Sequence, residues 1–257
     1  MRIIGIIPAR MAATRFPGKP LADIYGRAMI YHVYYRSLMC QKLDEVYIAT
    51  PDKRIRDYCG KNGMKVVMTK DTHERASDRA AEAMLKIEKR TGKRTGIVVM
   101  IQGDEPMVTP EMIGKAVTPL LRSRKTKISC LMGPLKNRSE ERDPNLVKVV
   151  VDKKGYALYF SREPIPSRKK FKGAVTLYKQ VPFIPFTRDF LIRFNELEPT
   201  PLEEVESVDM LRVLEHGYRI KMIPINGENQ SVDNEKDLRK VIRLMKNDPL
   251  MDRYLLP

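Results

Sequence analysis

The chain has 257 residues, of which 42% are hydrophobic and 7% aromatic, enough for a sizeable core and unlike a disordered tail or a fibre. Lys and Arg outnumber Asp and Glu by 48 to 32, a formal charge of +16 that favours acidic partners such as nucleotides or nucleic acids. No apolar run approaches the roughly eighteen residues of a membrane span, and Ile3 to Ile7 before Pro8 is too short for a signal peptide's apolar region. Cys40, Cys59 and Cys130 are odd in number and lack CxxC spacing, which argues against a disulfide framework or zinc knuckle and for a reducing cytoplasm. His32, His73 and His216 are scattered and read as surface or packing residues. The basic clusters at 86–94, 122–127 and 168–172 lack interleaved aromatics, so they read as solvated helix ends and loops, and nucleic acid is not the expected partner.

In chain order, Ile3 to Pro8 reads as a buried first strand. Ala28 to Met39 follows as a helix, Glu45 to Thr50 as a strand, Lys53 to Asn62 as a helix stopped by Gly63, and Lys65 to Met68 as a strand. Ser77 to Arg90 has helical period, and Gly96 to Ile101 is a buried strand running into Gln102-Gly103-Asp104-Glu105-Pro106. This alternation is that of βαβ units and a mainly parallel, Rossmann-like sheet, with ligands expected beyond the carboxyl ends of the strands. After Ser139 the pattern changes: Leu146 to Asp152, Ala157 to Phe160 and the Pro-rich stretch from Pro164 to Pro185 predict hairpins and a small inserted lobe. Val208 to His216 resumes helix, Arg219 to Pro224 strand, and Glu235 to Lys246 closes with a helix.

Three segments carry chemistry. The loop after the first strand, Pro8 to Leu21, holds Arg10, Arg15 and Lys19 beside Gly18, which suits a polyphosphate or else is a basic surface loop; it is not a Walker A loop. Asp104 lies just past a buried strand, placed to hold Mg²⁺ against phosphates or to serve as an acidic turn. Asp233, in Ser231-Val232-Asp233-Asn234, either completes that metal site or caps the helix starting near Glu235.

The set Pro8-Ala9-Arg10, Arg15 to Leu21, Gln102 to Pro106, Asn145 to Val150, Tyr156 to Arg162, Pro201-Leu202-Glu203, Leu211 to Leu214 and Val232-Asp233 resembles 3-deoxy-manno-octulosonate (Kdo) cytidylyltransferases, in family order over nearly the whole chain. The resemblance implies a nucleotidyltransferase-type α/β fold over 1–257, with a small lobe near 153–207 for acceptor binding and dimer contacts. It also implies CTP and a sugar acid as substrates, Mg²⁺ as cofactor, a cytoplasmic homodimer, and a place in lipopolysaccharide biosynthesis. By motif position Lys19, Arg10 and Asp104 would be catalytic. Pro8, Ala9, Arg10, Arg15, Lys19, Ser77 and Arg79 would bind nucleotide; Gln102, Arg162, Gln180 and Glu206 would face the acceptor; Asp104 and Asp233 would hold the metal.

The chain departs from the family pattern in two places. His73-Glu74-Arg75-Ala76-Ser77-Asp78-Arg79 has Arg75-Ala76 where relatives carry Ser-Gly, and Ala13 stands where many carry Ser. Gln180 to Phe186 replaces a His-Leu-Gly-Ile-Tyr segment, so Gln180 and Ile184 predict a more apolar acceptor wall and an acceptor that differs from Kdo. Two other classes stay open: a different acidic acceptor, and a non-catalytic nucleotide- or RNA-binding protein whose affinity would fall steeply with salt.

Overall fold

The computed structural model describes residues 1–12, 16–226 and 229–255. Two units are apparent: Met1–Gly114 with Glu228–Pro257, and Lys115–Gly227 inserted between them.

The first unit begins with β1 (Ile3–Pro8), a 3₁₀ turn (Lys19–Leu21), the short ribbon β2 (Asp23–Ile24) and β3 (Arg27–Ala28), and α1 (Met29–Leu38). Then come β4 (Glu45–Thr50), α2 (Lys53–Lys61), β5 (Val66–Met68), α3 (Ala76–Thr91), β6 (Ile97–Ile101) and α4 (Pro110–Arg122), whose last turns lead into the second unit. The strands run parallel in the order β6-β1-β4-β5, with Gly5 of β1 opposite Val46 of β4 and Val99 of β6. Their near-continuous apolar runs reflect burial on both faces: all of β6 is buried, and all of β1 except Pro8. Helix α3 ends at Gly92 (φ 67°), whose N–H donates to Glu88 O at 2.8 Å, a left-handed cap that a side chain would strain. The expected strands and helices of this unit appear within one or two residues of their expected bounds.

The second unit forms β7 (Ser129–Pro134), α5 (Arg138–Arg142), β8 (Lys148–Val151), β9 (Ala157–Ser161), β10 (Tyr178–Val181), β11 (Phe183–Thr187), α6 (Arg188–Glu196), α7 (Pro201–Glu206), α8 (Met210–Glu215) and β12 (Lys221–Pro224). Its sheet is ordered β12-β7-β10-β8-β9, antiparallel except for the β12–β7 pair. The expected hairpins are present, but the unit is wider than a 153–207 lobe. The reason is that β7 and β12 pair with each other at its edge, Met222 opposite Cys130, and so bring residues from both flanks into the sheet. Arg212 and Glu203 lock α8 to α7 through a buried two-toothed ion pair, 2.6 and 2.8 Å.

The chain then returns to the first unit through α9 (Glu235–Met245) and a final 3₁₀ turn (Met251–Arg253). Val241 and Met245 of α9 pack with Ile24, Met29 and Val232 in a buried cluster that also takes Phe16, beneath the loop carrying Lys19. No described helix is long and apolar enough to cross a membrane.

Candidate active site

Strand order reverses at β1, since β4 and β5 lie on one side of it and β6 on the other. The crevice beyond the carboxyl ends of such strands is where open α/β sheets bind ligands. Here Pro8, Ala9 and Arg10 leave β1 and Gln102, Gly103 and Asp104 leave β6, and together they form the floor of a pocket of about 350 Å³. Ala12, Phe16, Lys19, Pro20, Met29, the segment His73 to Ala76, Arg79 and Asp233 complete its lining. A Cβ on Gly103 would stand 3.0 Å from Pro8 O, so the two strand ends approach this closely because residue 103 has no side chain.

The loop after β1 folds back on itself. Met11 N–H donates to Asp52 Oδ2 at 2.8 Å, Gly18 N–H to Met11 O at 3.1 Å, and Gly18 adopts φ 74°. That turn starts the 3₁₀ helix and aims Lys19 inward, where Nζ lies 2.6 Å from Asp104 Oδ2 and 3.7 Å from Asp233 Oδ1. Hydrogen bonds anchor the main chain at both aspartates: Asp104 O accepts from Val232 N–H at 2.9 Å, and Asp233 N–H donates to Asp237 Oδ2 at 3.1 Å. The capping alternative for Asp233 falls away, because Asn234 caps α9 by accepting from Asp237 N–H at 3.1 Å. Lys19, Asp104 and Asp233, far apart in sequence, are thus brought together. Arg10 is exposed at the mouth, and Arg15 lies outside the described residues.

Two carboxylates reaching one cationic atom are a donor set that fits Mg²⁺, which takes one or two protein carboxylates and completes its shell with water and phosphate oxygens. Among the described residues no group of three or more His, Cys, Asp or Glu is placed to hold a metal by itself. Two carboxylates are fewer protein ligands than a closed structural site supplies.

The pocket wall at 73–76 is held from behind by α3. Arg79, 3% exposed, donates from Nη1 to Thr69 Oγ1 at 2.7 Å and Lys70 O at 2.9 Å, and from Nη2 to His73 O at 3.4 Å. Glu82 accepts from Lys70 N–H at 2.9 Å and pairs with His73 Nε2 at 2.6 Å. Burial lowers the Arg79 guanidinium's pKa from its ordinary value, and the charge of Arg10 adds to that shift. Glu82 is held down at about 2, its partial burial outweighed by hydrogen bonds from Lys86, Lys70 and His73. Arg79 lines the pocket as expected, while Ser77 is buried and does not. From the sequence His73 reads as a surface or packing residue; nothing local to it reveals the partner nine residues on.

The expected acceptor residues divide between the units. Gln102 lines the pocket. In the second unit Arg162 and Glu206 are in contact: Arg162 N–H donates to Glu206 Oε2 at 2.8 Å, and its Nε to Glu206 O at 2.6 Å. Arg162 also donates to Pro144 O at 2.7 Å and Ser207 O at 2.9 Å, so in this state its fork binds main-chain carbonyls. Lys148, buried, bonds the carbonyls of Asp143, Leu146 and Arg162 beneath it. Gln180 sits on β10 with Nε2 at 3.5 Å from Cys130 Sγ. Of the 180–184 segment expected to wall the acceptor, Phe183 at 0% and Ile184 at 3% exposed lie in the core on β11, while Gln180 and Pro182 are half-buried.

Comparison with known proteins adds the following. A family profile described as cytidylyltransferase matches residues 4–222. The chain is 41% identical over 252 residues to a 3-deoxy-manno-octulosonate cytidylyltransferase of Geobacter metallireducens, covering 94% of this chain and 97% of the relative. It is 39% identical over 251 residues to the mitochondrial 3-deoxy-manno-octulosonate cytidylyltransferase of Arabidopsis thaliana, covering 95% and 83%. Among solved structures it is similar to CMP:2-keto-3-deoxy-manno-octonic acid synthetase complexed with CTP, with a TM-score of 0.89 and 34% identity over 96% of this chain and all of that one.

Proposed function

The chain belongs to the cytidylyltransferase family, and we propose that it transfers the cytidylyl group of CTP to 3-deoxy-manno-octulosonate, yielding CMP-Kdo and pyrophosphate. The observation that carries this reading is the meeting of Lys19 with Asp104 and Asp233 at the strand-order reversal, in a pocket also lined by Arg10, Arg75 and Arg79. Such a site neutralises a triphosphate on one side and offers carboxylates for a divalent cation on the other.

In the reaction the anomeric hydroxyl of the sugar attacks the α-phosphorus while the bond to pyrophosphate breaks. Phosphoryl-type transfer asks the protein chiefly for positioning and for compensation of negative charge. In this reading Arg10 and Lys19, which line the pocket, bind the phosphates, and the wall held by Arg79 and Glu82 gives the phosphates a fixed surface. Asp104 and Asp233 would hold Mg²⁺, and the chemistry it supplies when bound is charge neutralisation at the phosphates. Gln102, at the pocket, serves the acceptor in this reading.

A homodimer formed through the second unit is part of the proposal: Leu158 on edge strand β9 and Val205 on α7 are 61% and 84% exposed. Light scattering on the purified chain checks it. A cytoplasmic location fits the three free cysteines.

The deciding assay is pyrophosphate release from CTP, Mg²⁺ and Kdo, with ATP, GTP and UTP as donors in parallel and a panel of sugar acids as acceptors. Release that requires CTP and a sugar acid supports the reading; release with any nucleotide, or none with any acid, rejects it.

A further inference from the structure

Asp104 and Asp233 come from separate segments, and their like charges would repel if nothing lay between them. One atom does. Lys19 Nζ is 2.6 Å from Asp104 Oδ2 and 3.7 Å from Asp233 Oδ1, and its side chain is only 15% exposed. The ammonium is not there by chance of a long stem: Lys19 N–H donates to Phe16 O at 3.2 Å, and Gly18 in its left-handed conformation sets the direction in which the stem leaves the loop. The main chain that carries each carboxylate is anchored as well, through Val232 N–H on Asp104 O and Asp237 Oδ2 on Asp233 N–H.

A divalent cation held by the same two carboxylates needs oxygens at about 2.1 Å. It cannot share their faces with an ammonium already in contact, and two cations there would repel. Lys19 has a second class of partner within its own pocket, since phosphate oxygens lying beside Arg10 and Arg79 would attract it away from the carboxylates.

We propose that Lys19 is a built-in occupant of the cation position between Asp104 and Asp233, which the pair yields to a divalent metal only when a triphosphate draws the ammonium away. Lys19 thereby couples metal entry to nucleotide entry. The inference rests on reading the pocket as a nucleoside triphosphate site. Coupling of this kind is reciprocal, so metal and nucleotide each strengthen the other's binding by the same factor, typically ~5- to 150-fold.

The test is binding of Mn²⁺ to the full chain without nucleotide, followed by electron paramagnetic resonance at pH 8. Lys19→Met keeps the apolar stem and removes the charge, and it should bind Mn²⁺ about tenfold more tightly than the wild type. A role confined to gripping phosphate, or to supporting the fold, would leave nucleotide-free metal binding unchanged or weaker, and either result overturns the proposal. Lys19→Gln gives the same readout should Lys19→Met fail to fold, judged by circular dichroism. Asp104→Asn added to Lys19→Met must abolish the gain; a gain that survives places the metal elsewhere and equally overturns the proposal. Pyrophosphate release by the wild type is measured separately, so an active enzyme whose Lys19 variants gain no metal affinity defeats this inference and leaves the cytidylyltransferase reading intact.

Discussion

Asn234 and Asp237 together bind the start of α9: Asn234 Oδ1 accepts from Asp237 N–H at 3.1 Å, while Asp237 Oδ2 accepts from Asp233 N–H at 3.1 Å. The first bond satisfies one donor that a helix start would leave unpaired, the second anchors the residue before the cap, and the Asp233 carboxylate is left facing Lys19 at 3.7 Å.

Adjacent residues therefore separate stability from activity. Asn234→Ala should lower stability by about 1 kcal/mol with turnover largely kept. Asp233→Asn should leave the melting temperature nearly unchanged and cut kcat roughly a hundredfold, the scale for losing one preorganised charge-stabilising group. Thermal melts and pyrophosphate-release kinetics on both variants check this; normal turnover by Asp233→Asn would remove Asp233 from the site.

The wall of the pocket supplies a second test. Arg79→Lys keeps the positive charge, but an ammonium cannot span Thr69 Oγ1, Lys70 O and His73 O as the guanidinium does. The expected result is a KM for CTP raised about tenfold, kcat changed far less, and faster amide hydrogen exchange over residues 69–76. An unaltered KM for CTP would mean that the wall stands without Arg79.

How much of this was legible in the chain depends on whether the signal was local. The strands of the first unit are apolar runs bounded by turn residues, so β1, β4 and β6 could be placed from composition alone, and with them the loops that carry Lys19 and Asp104. The contact between those two residues could not, because 85 positions separate them. The limits of the inserted unit were hidden for the same reason: β7 and β12 are distant strands whose pairing alone defines its edge. The Phe183 to Thr187 run failed differently, since an apolar stretch reads equally well as a pocket wall or as a buried strand, and only burial decides.

A buried histidine predicts an acid-sensitive fold. His32 is 0% exposed, with Nδ1 2.8 Å from Tyr254 Oη and Nε2 2.8 Å from Ile24 O, while Arg36 Nε donates to the same Tyr254 oxygen at 2.9 Å. The chain of bonds is consistent when Nε2 carries the ring proton and Tyr254 donates to Nδ1. Desolvation pulls the ring down to about 4 in the folded protein from 6.5. Between those values the unfolded chain binds a proton that the folded one does not. This group's contribution is therefore full above about pH 6.5 and declines through pH 4, by roughly 3 kcal/mol in all. Glu45 and Glu82, each held at about 2 against an ordinary 4.5, lose their contribution as pH falls from about 4.5 to 2, so they enter only at the acid end of this interval. Urea unfolding of wild type and His32→Gln at pH 7, 5.5 and 4.5 should show the wild type losing stability faster across that interval; parallel slopes would assign the acid sensitivity to other groups.

The last prediction concerns the acceptor. Gln180 to Ile184 departs from the family text and suggested a remodelled sugar site, yet Phe183 and Ile184 are buried on β11 and the Gln180 amide turns toward Cys130. Side chains without solvent exposure cannot discriminate among the hydroxyls of a bound sugar by touching them, so Phe183 and Ile184 act through packing. Kdo should accordingly give the highest kcat/KM among analogues altered at single hydroxyls. Ile184→Val should cost about 1 kcal/mol of stability, the usual effect of deleting one buried methylene, and leave the ratio of kcat/KM for Kdo over each analogue unchanged. If Ile184→Val moved that ratio tenfold, about 1.4 kcal/mol of differential transition-state binding, residue 184 would return to the acceptor site and the core assignment of β11 would no longer account for its chemistry.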